Sequence, residues 1–298
     1  MSTSSRPDLA TRLEGLIARD VGGRGIAPLA AAAAGGLARA GTALADARAV
    51  TVLTGFFIPA ANPPAAENDG PIGAAFLAVA LRARGVPVRV VTDRLCAGVV
   101  EAAIGAAGLA EDCAVSAVAV DAVSTGEAME AVTARHDAAP PSHVVAIERC
   151  GPTRTGAPRN LRGEDIAHHT APLERLFTPP AYRIGIGDGG NELGMGSLPA
   201  ELIAASVRHG DVVACRVPAD ALVVAGVSNW GGAALGLLVG GEAVTDRVNG
   251  AEHDRLLRAV AAAGAVDGIR RRPDLSVDDL DAAVHRELVD ALVAEVRR

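Results

Sequence analysis

Short, continuously apolar runs recur along this chain, separated by longer stretches whose Ala, Leu and Val positions suit helix faces. The apolar runs lie at 49–54, 86–92, 114–120, 143–147, 182–186, 212–216 and 221–225. They hold too few polar positions to alternate, so each reads as a strand covered on both faces. Helices are expected at 71–84, 94–107, 125–136, 191–207 and 230–238, with a leading helix at 27–45 and a terminal one at 278–298. Strand and helix in alternation predict an α/β fold: a doubly wound, mostly parallel sheet with helices on both faces, a Rossmann-like three-layer sandwich. No repeat or low-complexity linker interrupts the pattern, and one domain over 1–298 is expected.

In an open parallel sheet the carboxyl ends of the strands share one edge, where ligands bind. Polar residues gather at those ends. Thr54 and Gly55 follow the first strand, Asp93 the second, Glu148 and Arg149 the fourth, Asp188 the strand at 182–186, and Ser228 and Asn229 the last. Any one of them is as well explained as a helix cap. Five loops delivering them to one rim point to a site. The connections 55–70 and 148–170 are also long for such a fold, and long ordered loops tend to be functional.

The densest signal is Arg183-Ile184-Gly185-Ile186-Gly187-Asp188-Gly189-Gly190-Asn191-Glu192-Leu193-Gly194-Met195-Gly196, with six glycines between Gly185 and Gly196. Glycine at that density lets backbone turn through positive φ and lets a ligand approach main-chain N–H groups. Gly185-x-Gly187-x-x-Gly190 formally fits a dinucleotide fingerprint, but Asp188 would place a carboxylate where a pyrophosphate sits. In the 55–70 loop, Glu67 and Asp69 suit a cation or a substrate amine, and Asp69 equally suits a helix cap. Arg149, Arg159 and Arg162 beside a strand end suit a carboxylate-bearing ligand, because guanidinium forks pair bidentately with carboxylates. The only Trp, Trp230, lies beside Ser228 and Asn229 and is either pocket wall or core.

Composition removes other classes. Half of the 298 residues are apolar and only 2% aromatic, so Ala, Val and Leu must fill the core. Net charge is −7, and the lone basic tract is Arg270-Arg271-Arg272, which leaves nucleic-acid binding without support. No apolar run reaches bilayer length, and charges through the first twenty residues argue against a signal peptide; a cytoplasmic location is expected. Cys96, Cys113, Cys150 and Cys215 lack metal or redox spacing, and His168-His169 lack the i, i+4 spacing of a helical metal pair. There is no lysine: all 28 cationic side chains are arginine. Schiff-base chemistry, a pyridoxal-phosphate cofactor and the P-loop lysine are thereby excluded, and no nucleotide cofactor is expected.

At TGFFIP…ENDGP (54–71), AIERCG (146–151), GIGDGGNELGMG (185–196) and VAGVSNWGG (224–232), with Arg24-Gly25-Ile26 near the start, the chain resembles the D-glutamate cyclase family. The resemblance runs over roughly residues 20–240 and implies dehydrative closure of D-glutamate to 5-oxo-D-proline, a hydro-lyase reaction. The α-amine must attack the γ-carboxyl, which calls for a base near nitrogen and an acid or metal at the carboxyl. Asp188, Glu192 and Glu148 are the expected catalytic carboxylates, acting directly or through a divalent cation. Arg149 and the N–H groups of Gly189 and Gly190 would hold carboxylates, and Asn191 and Asn229 would fix orientation. Thr54, Gly55, Asp69 and Ser228 complete the expected substrate set. Glu67, Asp69 and Asp188 are hard oxygen donors suited to Mg²⁺ or Mn²⁺ if they converge. A homo-oligomer stays open. So do a related lactam- or amide-processing enzyme, a non-catalytic amino-acid sensor and a βαβ nucleotide binder.

Overall fold

The computed structural model describes residues 6–120 and 126–298. Its strands are β1 (Val50–Thr54), β2 (Phe57–Ile58), β3 (Ala65–Ala66), β4 (Val88–Asp93), β5 (Cys113–Val118), β6 (His143–Ile147), β7 (Tyr182–Gly187), β8 (Ala221–Val224), β9 (Ser276–Val277) and β10 (Leu280–Asp281). Six of them form one sheet in the order β5-β4-β1-β6-β7-β8, and every pairing in it is parallel. The chain winds outward from β1 to one edge, then returns to start β6 on the other side. That reversal opens a crevice at the carboxyl ends of β1 and β6, where a doubly wound sheet takes its ligand.

The helices are α1 (Arg6–Ile17), α2 (Ala27–Ala32), α3 (Gly36–Ala45), α4 (Pro71–Ala83), α5 (Ala97–Ala106), α6 (Met129–Ala138), α7 (Ala200–Ser206), α8 (Gly210–Val213), α9 (Ser228–Gly240), α10 (Gly250–Ala262) and α11 (Ala282–Val296). Side chains alternate across the sheet. Val50, Val52, Val145, Ile147, Ile184 and Ile186 face the layer of α1, α3, α4, α5 and α9–α11. Leu53, Val91, Val144, Ala146, Leu222 and Val224 face the layer of α2, α6 and α7. The three-layer α/β expectation is met.

The expected strand at 212–216 is absent. Residues 210–213 form the single turn α8, and Cys215 makes only an isolated bridge to Thr153. The expected helix at 191–207 shrinks to α7, because Gly194 turns at φ +105° and Pro199 cannot continue a helix begun before it. The 27–45 segment splits at Gly35, whose φ is +79°. Thr125, at the start of the expected 125–136 helix, lies outside the described residues, and α6 begins at Met129. The terminal helix starts at Ala282, after the β9–β10 hairpin. All four cysteines are free and buried.

Helices α4 and α9 run through the centre of one layer, both buried along their lengths. They touch through glycine: a Cβ on Gly232 would lie 2.6 Å from the Gly73 backbone. Their N-termini cap each other. Asn229 Oδ1 accepts the N–H groups of Gly70 and Gly73 at 2.9 and 2.7 Å, and Asp69 accepts those of Ser228 and Asn229 at 2.9 and 2.7 Å. Each cap satisfies the partner helix's free donors, and the carboxylate also meets a positive helix end. Gly232→Ala should therefore cost about 1–3 kcal/mol in denaturant unfolding through overpacking. Gly105→Ala, in α5 with open space around its Cβ, should be neutral or stabilising by up to ~1 kcal/mol. Equal effects of the two would refute the close-approach explanation.

Candidate active site

A cavity of about 760 Å³ opens at the crevice, within the size range of small-molecule sites. Its acidic lining comes from four separate segments: Glu67, Glu148, Asp188 and Asp278. Phe56, Phe57, Ile58 and Pro59 form an apolar wall, and Arg24, Arg162 and Arg208 bring cations to the same space.

Glu148 follows β6 with φ +46°, a left-handed conformation that a glutamate adopts at a cost. The turn aims its carboxyl back over the sheet edge, where Oε2 accepts the Ser228 hydroxyl at 2.6 Å. Burial, then the negative charges of Asp188, Glu192, Asp69 and Glu67, push Glu148 well above the usual carboxylate range. Glu67 is raised well above that range by burial first, then by Asp278, Asp69 and Asp188. In both, burial and the neighbouring negative charges favour the protonated form.

Asp188 has a different environment. Arg24 Nη2 donates to its Oδ2 at 2.7 Å, to Asp278 Oδ2 at 2.9 Å and to the Gly226 carbonyl at 2.7 Å. Burial raises Asp188, but Arg24 and a hydrogen bond from Asp278 pull it back. Asp278 takes the proton of the pair: burial and Asp188 push it up to about 7 against the pull of Arg24. Asp278 also sits at φ +53° on the β9–β10 turn. The Arg24 loop is braced in turn by Asp20, which accepts the N–H groups of Arg24 and Gly25.

Several expected roles change. Glu192 does not line the cavity; its Oε1 accepts the Asp188 and Gly189 N–H groups at 2.9 and 2.5 Å, so it locks the turn. Those N–H groups are thus occupied from within and do not serve a ligand carboxylate. Arg149 is corrected likewise. It is fully buried, its fork closed on Asp93 at 2.5 and 2.9 Å, with further bonds to the Gly55 and Ala171 carbonyls. It fastens the ends of β1, β4 and β6 together. Asp69 and Asn229 are helix caps behind the floor, and Thr54, Gly55 and Gly190 are buried outside the cavity lining. Gly70 at φ +97° packs over Thr54 and Glu148, where a Cβ would come within 2.7 and 2.9 Å of their side chains. Gly189 and Asn191 do line the cavity, and Asn191 Nδ2 donates to the Arg159 carbonyl at 2.9 Å.

The acids that come close enough to share an ion are Glu148, Asp188 and Glu192, and, separately, Asp69, Asp188 and Asp278. Glu67 belongs to neither group. Arg24, Asp278 and Arg208 are site residues without an expected role. Arg24-Gly25 carried a sequence signal, whereas nothing near Asp278 or Arg208 singled them out.

The profile of the family described as "D-glutamate cyclase-like, C-terminal" matches residues 13–293. The chain belongs to the D-glutamate cyclase-like family. It is 38% identical over 237 residues to the mitochondrial D-glutamate cyclase of Homo sapiens, a match covering 75% of this chain and 37% of that protein. The chain thus aligns with little more than a third of the human protein's length. No helix among the described residues is long and apolar enough to cross a membrane.

In this D-glutamate cyclase-like site, Asp278 binds its proton more tightly folded than unfolded. The folded state then carries more protons between about pH 4 and 7, and stability falls as pH rises through that window. Asn is tolerated in left-handed backbone. Asp278→Asn should therefore raise Tm by roughly 3–8 °C at pH 8, with a gain that shrinks towards pH 4. A pH-independent change in calorimetric Tm would contradict the assignment.

Proposed function

We propose that this protein is a hydro-lyase that closes D-glutamate to 5-oxo-D-proline and water. The observation that carries the reading is the meeting, in one cavity, of Asp188 bonded to Arg24 with Glu148 and Glu67, whose surroundings favour the protonated form. A single site thus holds the base and the acid that lactam formation needs. The likeness to D-glutamate cyclase supports D-glutamate as the substrate.

The N–Cδ bond forms and a Cδ–O bond breaks. The ammonium sheds two protons and the departing oxygen gains two, so the overall reaction is proton-neutral. Asp188 takes the two protons from nitrogen in turn, handing the first to the γ-carboxyl and the second to Glu148, and its upward shift makes it a stronger base than a free aspartate. Glu148, pinned by Ser228, gives the other proton to the leaving oxygen and is restored by the one Asp188 passes on. Glu67, whose protonated form is favoured, eases entry of the γ-carboxyl. The apolar wall of Phe56, Phe57 and Ile58 packs the methylenes and folds the chain, and positioning of two ends of one molecule can contribute up to ~7–11 kcal/mol.

A divalent cation fits the donor set as well. Glu192 Oε2 is buried with no partner among the described residues and belongs to the Glu148, Asp188, Glu192 group. These three would hold Mg²⁺ or Mn²⁺ through hard oxygen donors, and the ion would polarise the γ-carboxyl.

Turnover is followed by chiral chromatography of 5-oxoproline from D- and L-glutamate. Asp188→Asn and Glu148→Gln should each lower kcat by about 10²–10⁴-fold with the fold intact by circular dichroism. Wild-type protein that binds glutamate without turnover would establish a sensor instead. Calorimetric titration with Mn²⁺ reads the cation separately, and Glu192→Gln should abolish that binding while its amide oxygen still accepts the turn N–H groups.

A further inference from the structure

We propose that Arg162 and Arg208, on the lip of the cavity, bind the α-carboxylate of the substrate and orient its reacting end towards the acidic floor. This rests on the lactam-forming reading above and names the residues that set the direction of binding.

Three observations meet here. Both arginines line the cavity, and neither guanidinium has a hydrogen-bond or ion-pair partner among the described residues. Arg24, by contrast, spends its Nη2 on Asp188, Asp278 and the Gly226 carbonyl. Secondly, Arg162 is held in place. Asn160 Oδ1 accepts the backbone N–H groups of Arg162 and Glu164, and Asn160 Nδ2 donates to Glu164 Oε2. Arg208 comes from the other side, just after α7, where His209 turns at φ +58°. Thirdly, Arg162 lies within reach of other arginines: burial lowers it first, then the charge of Arg271, with Glu164 and Glu67 pulling the other way and Arg208 adding to the repulsion. Repulsion felt by an arginine at the mouth of a cavity is relieved by an incoming anion.

The reaction's charge changes decide which carboxylate goes where. The γ-carboxyl must take up protons as its oxygen leaves, so it belongs beside the carboxyls of Glu148 and Glu67. The amine belongs beside Asp188. The α-carboxylate keeps its full charge from substrate to product, and Arg162 and Arg208 offer it two guanidiniums that hold no acid among the described residues. An interaction equally strong in substrate, transition state and product changes KM and leaves kcat nearly untouched.

The test uses the full chain with Arg162→Gln, Arg208→Gln and the double variant. Arg271→Gln serves as a control for a nearby charge outside the cavity lining. Calorimetry compares 5-oxo-D-proline with 5-oxo-D-prolinamide, which lacks the carboxylate, and turnover of D-glutamate is measured alongside. Wild-type protein should prefer the acid over the amide by about tenfold or more. The double variant should lose that preference, with KM raised about tenfold or more and kcat within about threefold, while Arg271→Gln shifts either quantity by less than about threefold. An arginine-dependent preference in a protein that turns over no D-glutamate would support the lip and overturn the reaction. Normal turnover with the preference intact in the double variant would overturn the lip and leave the reaction standing. A wild-type chain that neither binds nor reacts overturns both.

Discussion

One guanidinium faces more buried carboxyls than it can neutralise, and the site is built around that imbalance. Asp69, Glu67, Glu148, Asp188, Glu192 and Asp278 crowd the crevice, each nearly inaccessible to water. Unpaired anions at such a place are prohibitively costly, so every one needs a partner or a proton. Each solution is local and different. Asp69 takes the N-terminal donors of α9, Glu192 takes the N–H groups of its own turn, and Asp188 takes Arg24. Burial and like charges favour the protonated forms of Asp278, Glu148 and Glu67, and push Asp69 up as well against the pull of its capped N–H groups. The same crowding that burdens the fold therefore sorts chemically identical groups into caps, a base and acids.

The dependence extends into the fold. The caps exist because α4 and α9 start side by side, and they can start side by side because Gly73 and Gly232 let the two backbones touch. Arg149 clamps the strand ends from beneath, and its Asp93 partner also accepts the Ala171 N–H at 2.7 Å, closing the long 148–170 loop. The floor carboxyls thus hang from rigid elements, which suits a site that must fold a flexible amino acid into a five-membered ring.

How much of this was legible beforehand follows from what a sequence encodes locally. Buried parallel strands announce themselves as apolar runs, so the sheet was readable apart from 212–216, whose apolar pattern a short helical turn shares. The convergence of strand-end loops was readable as well, since topology alone puts them on one rim. The direction in which each side chain leaves that rim was not. Arg149 and Asn229 occupy the expected loops but turn inward onto backbone groups, and Thr54 is buried with its hydroxyl unpartnered among the described residues. Arg24, Arg208 and Asp278 come from segments outside the strand-end pattern, and only tertiary closure brings them in.

The glycine-rich segment shows how the two levels of information combine. Its glycines invite comparison with a phosphate cradle, yet they serve the chain's own atoms. A Cβ on Gly185 would meet the backbone of Leu193 at 2.4 Å, and one on Gly187 would meet Glu192 Cδ at 2.8 Å. The segment doubles back on its strand, and Glu192 fills the N–H nest that a phosphate would otherwise enter. With its own anion in place, the turn has the Asp188 and Gly189 N–H groups already spent; what it presents to the cavity is Asp188. On the reading proposed above, an anionic substrate group finds its cations at Arg162 and Arg208, which line the same cavity from other segments. A zwitterion entering between them then has one orientation that satisfies both ends, amine towards Asp188 and permanent carboxylate towards the arginines, and in that orientation the carboxyl that must lose oxygen meets Glu148 and Glu67.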